Sequence, residues 1–479
     1  MLSSRTLKAA AMFGLAPREA RRGPSPTVPS CSRALGALLC LKRSHIALIT
    51  GPSGSGKSLL LRRLRARAAR PIVITPATAA TLRAIPRTVL DLPAWRRDPL
   101  ESSLSHLARA GLAEASLLLR TPAQLSDGQL ARLAIALALR HAARRSSVTT
   151  ILIDEFAASL DRASALTLAA SLSRAVRASS NLKLIVATSH HDLDDPLAPS
   201  ITVTTRLNEE PIILVSPMVS NRASPAGRSA ALPARPVHAG HFARVADRFP
   251  IRPGSPPDYA ALGRFHYLAG PPATCAHVLA IDDPSPPPGS HSQPIAVLVV
   301  SMPTLNGDWR AAAFPSLPSI SDKRAHAREL NRSVRTISRV IVDPRYRALG
   351  LATRLVQAYL HAPLTPHTEA IAAMGTACPF FEAAGMSRVG APPTRRTIRL
   401  LAALHRAGIE PHDLLSLDPA RDVADIPAPL AIDLHRWAND ARATRSLAQG
   451  PLAPLLRAAA FHLASPRCIY AHSRPLDAL

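Results

Sequence analysis

The stretch "LITGPSGSGKS", Leu48 to Ser58, constrains this chain more than any other. An apolar run breaks into glycines and then into the helical pattern "SLLLRRLRARA", so a strand has to turn sharply into a helix N-terminus. Gly51, Gly56, Lys57 and Ser58 satisfy G-x-x-x-x-G-K-[ST] in that context. The loop of Gly51, Pro52, Ser53, Gly54, Ser55 and Gly56 turns backbone N–H groups inward around a β-phosphate. Lys57 then reaches the β- and γ-oxygens, and the Ser58 hydroxyl can ligate Mg²⁺.

A loop of this kind sits at the edge of a sheet, and residues 46–217 supply one. Short apolar runs ("HIALIT", "PIVIT", "TTILID", "LKLIVAT", then "SITVTTRL" and "PIILVS") alternate with longer helical stretches, which predicts a mostly parallel sheet covered by helices. At 479 residues and 47% hydrophobic the chain can bury more than one core, and with 4% aromatics those cores are mainly aliphatic. The formal net charge of +26 leaves a nucleic-acid partner open, but Arg, Ala and Pro abound throughout, as composition bias alone would produce. Five cysteines stand singly with no CxxC spacing, which argues against a zinc site or disulfide framework and fits a reducing, cytoplasmic setting. No apolar run approaches the about 18 residues that cross a bilayer.

Downstream, "ILIDEF" is an apolar strand ending in two acids. Asp154 can hold the magnesium ion and Glu155 can orient or deprotonate the attacking water. Between the two motifs lies "LSDGQLARLAIAL", in which Leu125, Ser126, Asp127, Gly128 and Gln129 open a helix with Ser126 as its N-cap. Here the chain resembles the ABC-type ATPases, whose signature loop reads LSGGQ. The resemblance implies that Ser126 and Gly128 donate to the γ-phosphate held by a second copy, so that two chains meet head to tail as a homodimer. It extends to "SLD", Ser159 to Asp161, and to "ATSHHD", where His190 matches the family's γ-phosphate-sensing histidine and His191 is the alternative. Departures are Asp127 in place of a glycine and the absence of any glutamine between Lys57 and Gln124, where the family places one. No residue is identifiable as the aromatic that stacks on adenine.

Residues 218–237 read as a linker rich in Ser, Ala, Pro and Arg. From 238 to 399 a second α/β unit is expected: helices first, then paired strands "TCAHVLAID" and "PIAVLVVSM", then "TISRVIVD" running into the helix "LGLATRLVQAYL". The loop "RYRALGLA" resembles the acetyl-CoA loop of GNAT acetyltransferases, R-x-x-G-x-G/A, here Arg347, Gly350 and Ala352. The resemblance implies that Arg347, Ala348, Leu349, Gly350, Leu351, Ala352 and Thr353 hold the pyrophosphate, and that Val340, Ile341 and Val342 pair with the pantetheine amides. Where many members place a tyrosine acid, "PFFE" offers Phe380 and Phe381, which cannot donate a proton. Glu329, His326, Asp322 and Asp343 are base candidates by position only.

The expected architecture is α/β throughout: a poorly ordered or degenerate segment over 1–39, an ABC-type ATPase domain over 40–217, the linker, a GNAT-like domain over 238–399 and a helical extension over 400–479. The expected ligands are ATP, Mg²⁺ and acetyl-CoA, with an unidentified amine as acetyl acceptor. A second reading makes the chain a nucleic-acid-associated ATPase clamp whose GNAT fold senses acetyl-CoA or is inactive. A third, the ATPase subunit of a transporter, is opposed by the missing glutamine and the fused second unit.

Overall fold

The computed structural model describes residues 3–12, 31–207, 209–216, 246–266, 270–284, 293–372, 375–376, 378–390, 393–416, 426–441, 444–464 and 468–474. The expected linker, 218–237, lies outside these residues.

The first sheet contains β1 (Ile46–Thr50), β2 (Ile72–Ile74), β3 (Thr149–Ile153), β4 (Leu182–Thr188), β5 (Ile201–Arg206) and β6 (Glu209–Val215), in the order β2-β3-β4-β1-β5-β6. The first five run parallel and β6 returns antiparallel along β5. Alternate residues of the central strands serve opposite faces, which is why their sequences are apolar without interruption. Ile46, Leu48, Ile151, Ile153, Leu184 and Val186 join one core with Trp95, Leu133 and Leu168. Ala47, Ile49, Leu152, Ile185 and Ala187 join another with Leu35, Leu38, Leu60 and Leu64. Leu35 and Leu38 belong to a helix, Ser32–Leu39, so the end of the segment expected to be poorly ordered or strand-like is helical and packed. Its signal is an amphipathic run of only eight residues.

The second sheet has seven strands: β7 (Ile251–Pro253), β8 (His277–Asp282), β9 (Pro294–Ser301), β10 (Val334–Val342), β11 (His367–Ala372), β12 (Ser387–Val389) and β13 (Cys468–Ser473). Their order is β12-β13-β11-β10-β9-β8-β7. Only β10 and β11 pair in parallel. Strand β7 precedes the helix Pro256–Leu262, and residues 238–245, where the first helix of this unit is expected, lie outside the described residues. One expectation is corrected here: the segment 400–479 is not purely helical, because β13 enters the sheet between β11 and β12. The helices Arg395–Arg406, Ala428–Asn439 and Leu452–Ala464 lie between β12 and β13 in sequence and close their own core around Leu404, Leu434, Trp437 and Leu456. Among the described residues no helix is long and apolar enough to cross a membrane.

Candidate functional site

The cradle forms where β1 ends. Gly51 has φ +144°, and a Cβ there would lie 2.3 Å from the Thr205 carbonyl oxygen on β5, so no side chain fits. Thr205 Oγ1 donates to Thr50 O at 3.0 Å and meets Ser55 Oγ at 2.7 Å, tying the loop to the neighbouring strand. Sequence reasoning missed Thr205, because nothing in "TVTTRL" distinguishes the threonine that faces the loop. Gly54 and Gly56 are left-handed, and Gly56 opens the helix Lys57–Arg67. Lys57 Nζ donates to the carbonyl oxygens of Gly51 and Pro52, at 2.7 and 2.8 Å, bridging the mouth of its own loop. Burial pushes its ammonium below the ordinary lysine range, against the upward pull of Asp154 and Glu155. Both carboxylates lie near enough to act on the ammonium, and the donor set of Ser58 hydroxyl and Asp154 carboxylate suits a hard cation such as Mg²⁺.

Asp154 and Glu155 follow β3. The turn is strained: Glu155 and Ala157 take φ of +51° and +63°. Such conformations each cost about 1–3 kcal/mol and persist where the surroundings enforce them. Phe156 N donates to Ala187 O at 2.8 Å, and Thr188 Oγ1 donates to Phe156 O at 2.9 Å. The same hydroxyl accepts from His190 N at 3.1 Å, so one threonine joins the acidic turn to the histidines. The chain then enters a 3-10 turn, His191–Leu193, which swings the second ring back over β1. His191 Nδ1 lies 3.2 Å from Thr50 Oγ1. The ring that reaches the cradle strand is thus that of His191, where the sequence favours His190. Beside Asp154, β2 ends at Ile74, whose carbonyl accepts from Asp154 N at 2.9 Å; next comes Thr75, its hydroxyl engaged in capping a short helix through Thr78 N.

The signature segment forms as its residues suggest. Ser126 caps the helix Asp127–Ala143, accepting from Gln129 N at 3.3 Å, while Gln129 Oε1 accepts from Ser126 N at 3.0 Å. Asp127 projects into solvent and pairs with Arg83 at 2.5 Å. Leu125 is buried in the first core. Asp161 caps the helix Arg162–Arg177, and Arg162 forms an ion pair with Asp192 beside the histidines.

In the second sheet β10 and β11 pair from Val334/His367 to Ile337/Ala370 and then part. A bulge between Ile337 and Arg339 accompanies the divergence. Beyond it the edge of Val340, Ile341 and Val342 that faces away from β9 has no strand partner among the described residues. The strand runs into a turn where Ala348 and Gly350 take φ of +67° and +86°, a conformation that aims successive N–H groups into one concavity at the start of the helix Leu351–His361. Leu349 and Leu351 are buried beneath it. Phe381 is buried with its ring 5.2 Å from Tyr470, as a core residue. Of the base candidates, Asp322 caps the helix Lys323–Ser333, Asp343 holds the N–H and guanidinium of Arg345, and Glu329 accepts from Ser333 Oγ; His326 is half-buried in the same helix.

A loop that cradles phosphate, a carboxylate pair on the adjacent strand and a serine-capped signature helix define a nucleotide-hydrolysing P-loop protein. Comparison narrows the class. A family described as "AAA domain" matches residues 41–197. The lipoprotein-releasing system ATP-binding protein LolD of Maricaulis maris is 33% identical over 192 residues, covering 33% of this chain and 80% of that protein. Through this region the chain belongs to the ABC-type family of P-loop ATPases. Among solved structures, the ATP-binding cassette MJ0796, a dimer in a post-hydrolysis state bound to ADP and Pi, is 22% identical over 37% of this chain and 88% of its own, with a TM-score of 0.30. The cbiO1 protein of Clostridium perfringens, part of the ABC transporter complex cbiONQ, is 18% identical over 36% and 77%, with a TM-score of 0.29. The N-terminal part of this chain is an ATP-binding ABC-type ATPase.

Proposed function

We propose that this ATPase works as a head-to-tail homodimer whose conformational cycle governs a second activity in the same chain, transfer of an acetyl group from acetyl-CoA to an amine. One observation carries the second activity: two parallel strands that part after Ile337 and Ala370, with the left-handed loop of Ala348 and Gly350 at the open end. The unpaired edge of Val340–Val342 offers backbone donors and acceptors that an extended amide chain can complete as an added strand. The N–H groups of Ala348–Ala352 at a helix N-terminus suit a pyrophosphate. Acetyl-CoA is already activated, so ATP is not needed for the chemistry, and its role is to shift the dimer between states.

Within the ATPase, Lys57 and the Gly51–Gly56 loop hold the phosphates, Glu155 orients the attacking water, and Ser126 and Gly128 complete the site of the opposite copy. Magnesium, held by Ser58 and Asp154, would screen the phosphate charge. In the transferase no side chain is assigned as acid at Phe381, and water serves that role. The test follows isotopic acetyl groups from acetyl-CoA into protein, RNA and small-molecule fractions of a cell extract, with and without ATP. Label entering one fraction at an ATP-dependent rate is the expected result. Absence of label in every fraction despite ATP hydrolysis would remove the transferase reading, and equal rates with and without ATP would remove the coupling.

A further inference from the structure

Two arginines from distant parts of the chain grip one turn. The turn is Gly111–Ala113, which follows the helix Leu100–Arg109 and begins with Gly111 at φ +78°. Arg132, in the signature helix, donates from Nη1 to Gly111 O at 3.0 Å. Arg347, the first residue of the Arg347–Ala352 loop, donates from Nη1 to Ala113 O at 2.8 Å and from Nε to Val342 O at 3.1 Å. Both arginines are half-buried, and burial lowers the pKa of each. Each bond draws its arginine onto the same turn, so displacement of one partner bears on the other.

A second contact runs alongside. The helix Arg162–Arg177, capped by Asp161, presents Ser164, Thr167 and Ser171 to the turn of Pro344, Arg345 and Arg347, and the space between them is about 10 Å³, room for about one water. Ala170 of that helix lies in the same apolar cluster as Tyr346, Leu349 and Leu351. The Arg347 loop therefore touches the Gly111–Ala113 turn, which Arg132 of the signature helix holds, and the helix capped by Asp161.

We propose that the Gly111–Ala113 turn and the helix Arg162–Arg177 transmit the nucleotide state of the ATPase to the Arg347–Ala352 loop, making acetyl-CoA affinity depend on the bound nucleotide; the ligand in this statement rests on the acetyl-CoA reading above. Closing the ATP site against a second copy loads the signature residues, and Arg132 sits one helical turn behind them. The transferase loop follows because Arg347 is bonded to the same turn. By linkage, acetyl-CoA alters nucleotide affinity by the same factor.

The test uses the full chain and two readouts. Calorimetric titration with acetyl-CoA, at saturating Mg²⁺–ADP and at saturating Mg²⁺ with a non-hydrolysable ATP analogue, is expected to give dissociation constants differing at least about 5-fold in the wild type. In Arg132→Gln the ratio is expected to fall below about 2, with each ligand still binding alone. Hydrogen exchange of residues 345–353 in the wild type, with either nucleotide and no acetyl-CoA, is expected to differ and requires no variant. A loop that responds to nucleotide in a protein that never binds acetyl-CoA would support the relay and overturn its ligand. Binding of acetyl-CoA with equal affinity in both nucleotide states, and unchanged exchange of the loop, would overturn the relay itself.

Discussion

Gly128 lies against Ser159 so closely that a Cβ on the glycine would sit 2.8 Å from the serine carbonyl oxygen, and 2.7 Å from Leu160 Cδ2. The signature helix and the turn after the acidic pair are in direct contact within one chain, and only the absence of a side chain permits it. Gly128→Ala has to displace backbone as well as the flexible Leu160. ATP turnover is expected to fall at least about 10-fold with nucleotide binding within about 3-fold of wild type, as for a change that affects a step after binding. Steady-state hydrolysis and equilibrium titration of a fluorescent ATP analogue check this.

Glu155→Gln retains the shape of the acidic turn and removes the carboxylate. Hydrolysis is expected to drop by about 100-fold or more, as for loss of a general base. Nucleotide binding survives, so the ATP-bound dimer accumulates. Light scattering after gel filtration in ATP should report twice the monomer mass for the variant, and a monomer under the same conditions would exclude the head-to-tail arrangement.

The two adjacent histidines give a direct comparison. Because His191 is the one bonded to Thr50 at 3.2 Å, His191→Ala is expected to slow hydrolysis by about 10-fold or more. His190, tied to the site by its backbone N–H on Thr188 Oγ1, should tolerate alanine within about 3-fold. The reverse order of effects would support His190 in the sensing role.

A buried ion pair fastens the segment after β9 to the second sheet. Glu369 on β11 is 1% exposed and accepts from Arg310 Nη2 at 2.7 Å and Nε at 2.9 Å, from Trp309 Nε1 at 3.0 Å and from Thr336 Oγ1 at 2.8 Å. Removing the carboxylate leaves a guanidinium buried without its partner. Glu369→Ala is expected to cost about 3–5 kcal/mol. Combining it with Arg310→Met should recover a good part of that loss, and urea denaturation of both variants measures it.

Acid should loosen the corner where β7 meets β8. Arg252 bonds both Asp258 and Asp282, and its hydrogen bonds to Asp258 hold that carboxyl down at about 2. A depressed carboxylate stabilises the fold above its unfolded pKa and ceases to do so as pH falls through the folded one, here between about pH 4 and pH 2. The contribution is about 1–2 kcal/mol. Asp258→Asn should be less stable than wild type at pH 6 by that amount and nearly equal to it near pH 2.

How far the sequence discloses this molecule varies with the range of the interaction. Strands β1, β3 and β4 are legible because burial on both faces demands unbroken apolar runs, and Ser126 announces a helix start by its own chemistry. Strand β7 is three residues ending in Pro253, too short for a period to show. Strand β13, "CIYAHS", follows three helices, and nothing local tells it to enter a sheet begun some two hundred residues earlier. The contact of Arg347 with Ala113 is invisible for a different reason: the acceptor is a backbone carbonyl, which every residue type carries.

The placement of β13 also sets an order of events during synthesis. It is the last of the described strands to be made, yet it fills the gap between β11 and β12. Until Cys468–Ser473 leaves the ribosome, those two strands have no neighbour to join them, and their open edges are sites for wrong pairing. The strands around the ATP cradle are complete by Val215. At ordinary elongation rates the interval between the two is on the order of ten seconds to a minute. A nascent chain can therefore carry a folded nucleotide site while its other half is still unfinished, and nucleotide bound at that stage would act on a partner sheet that does not yet exist.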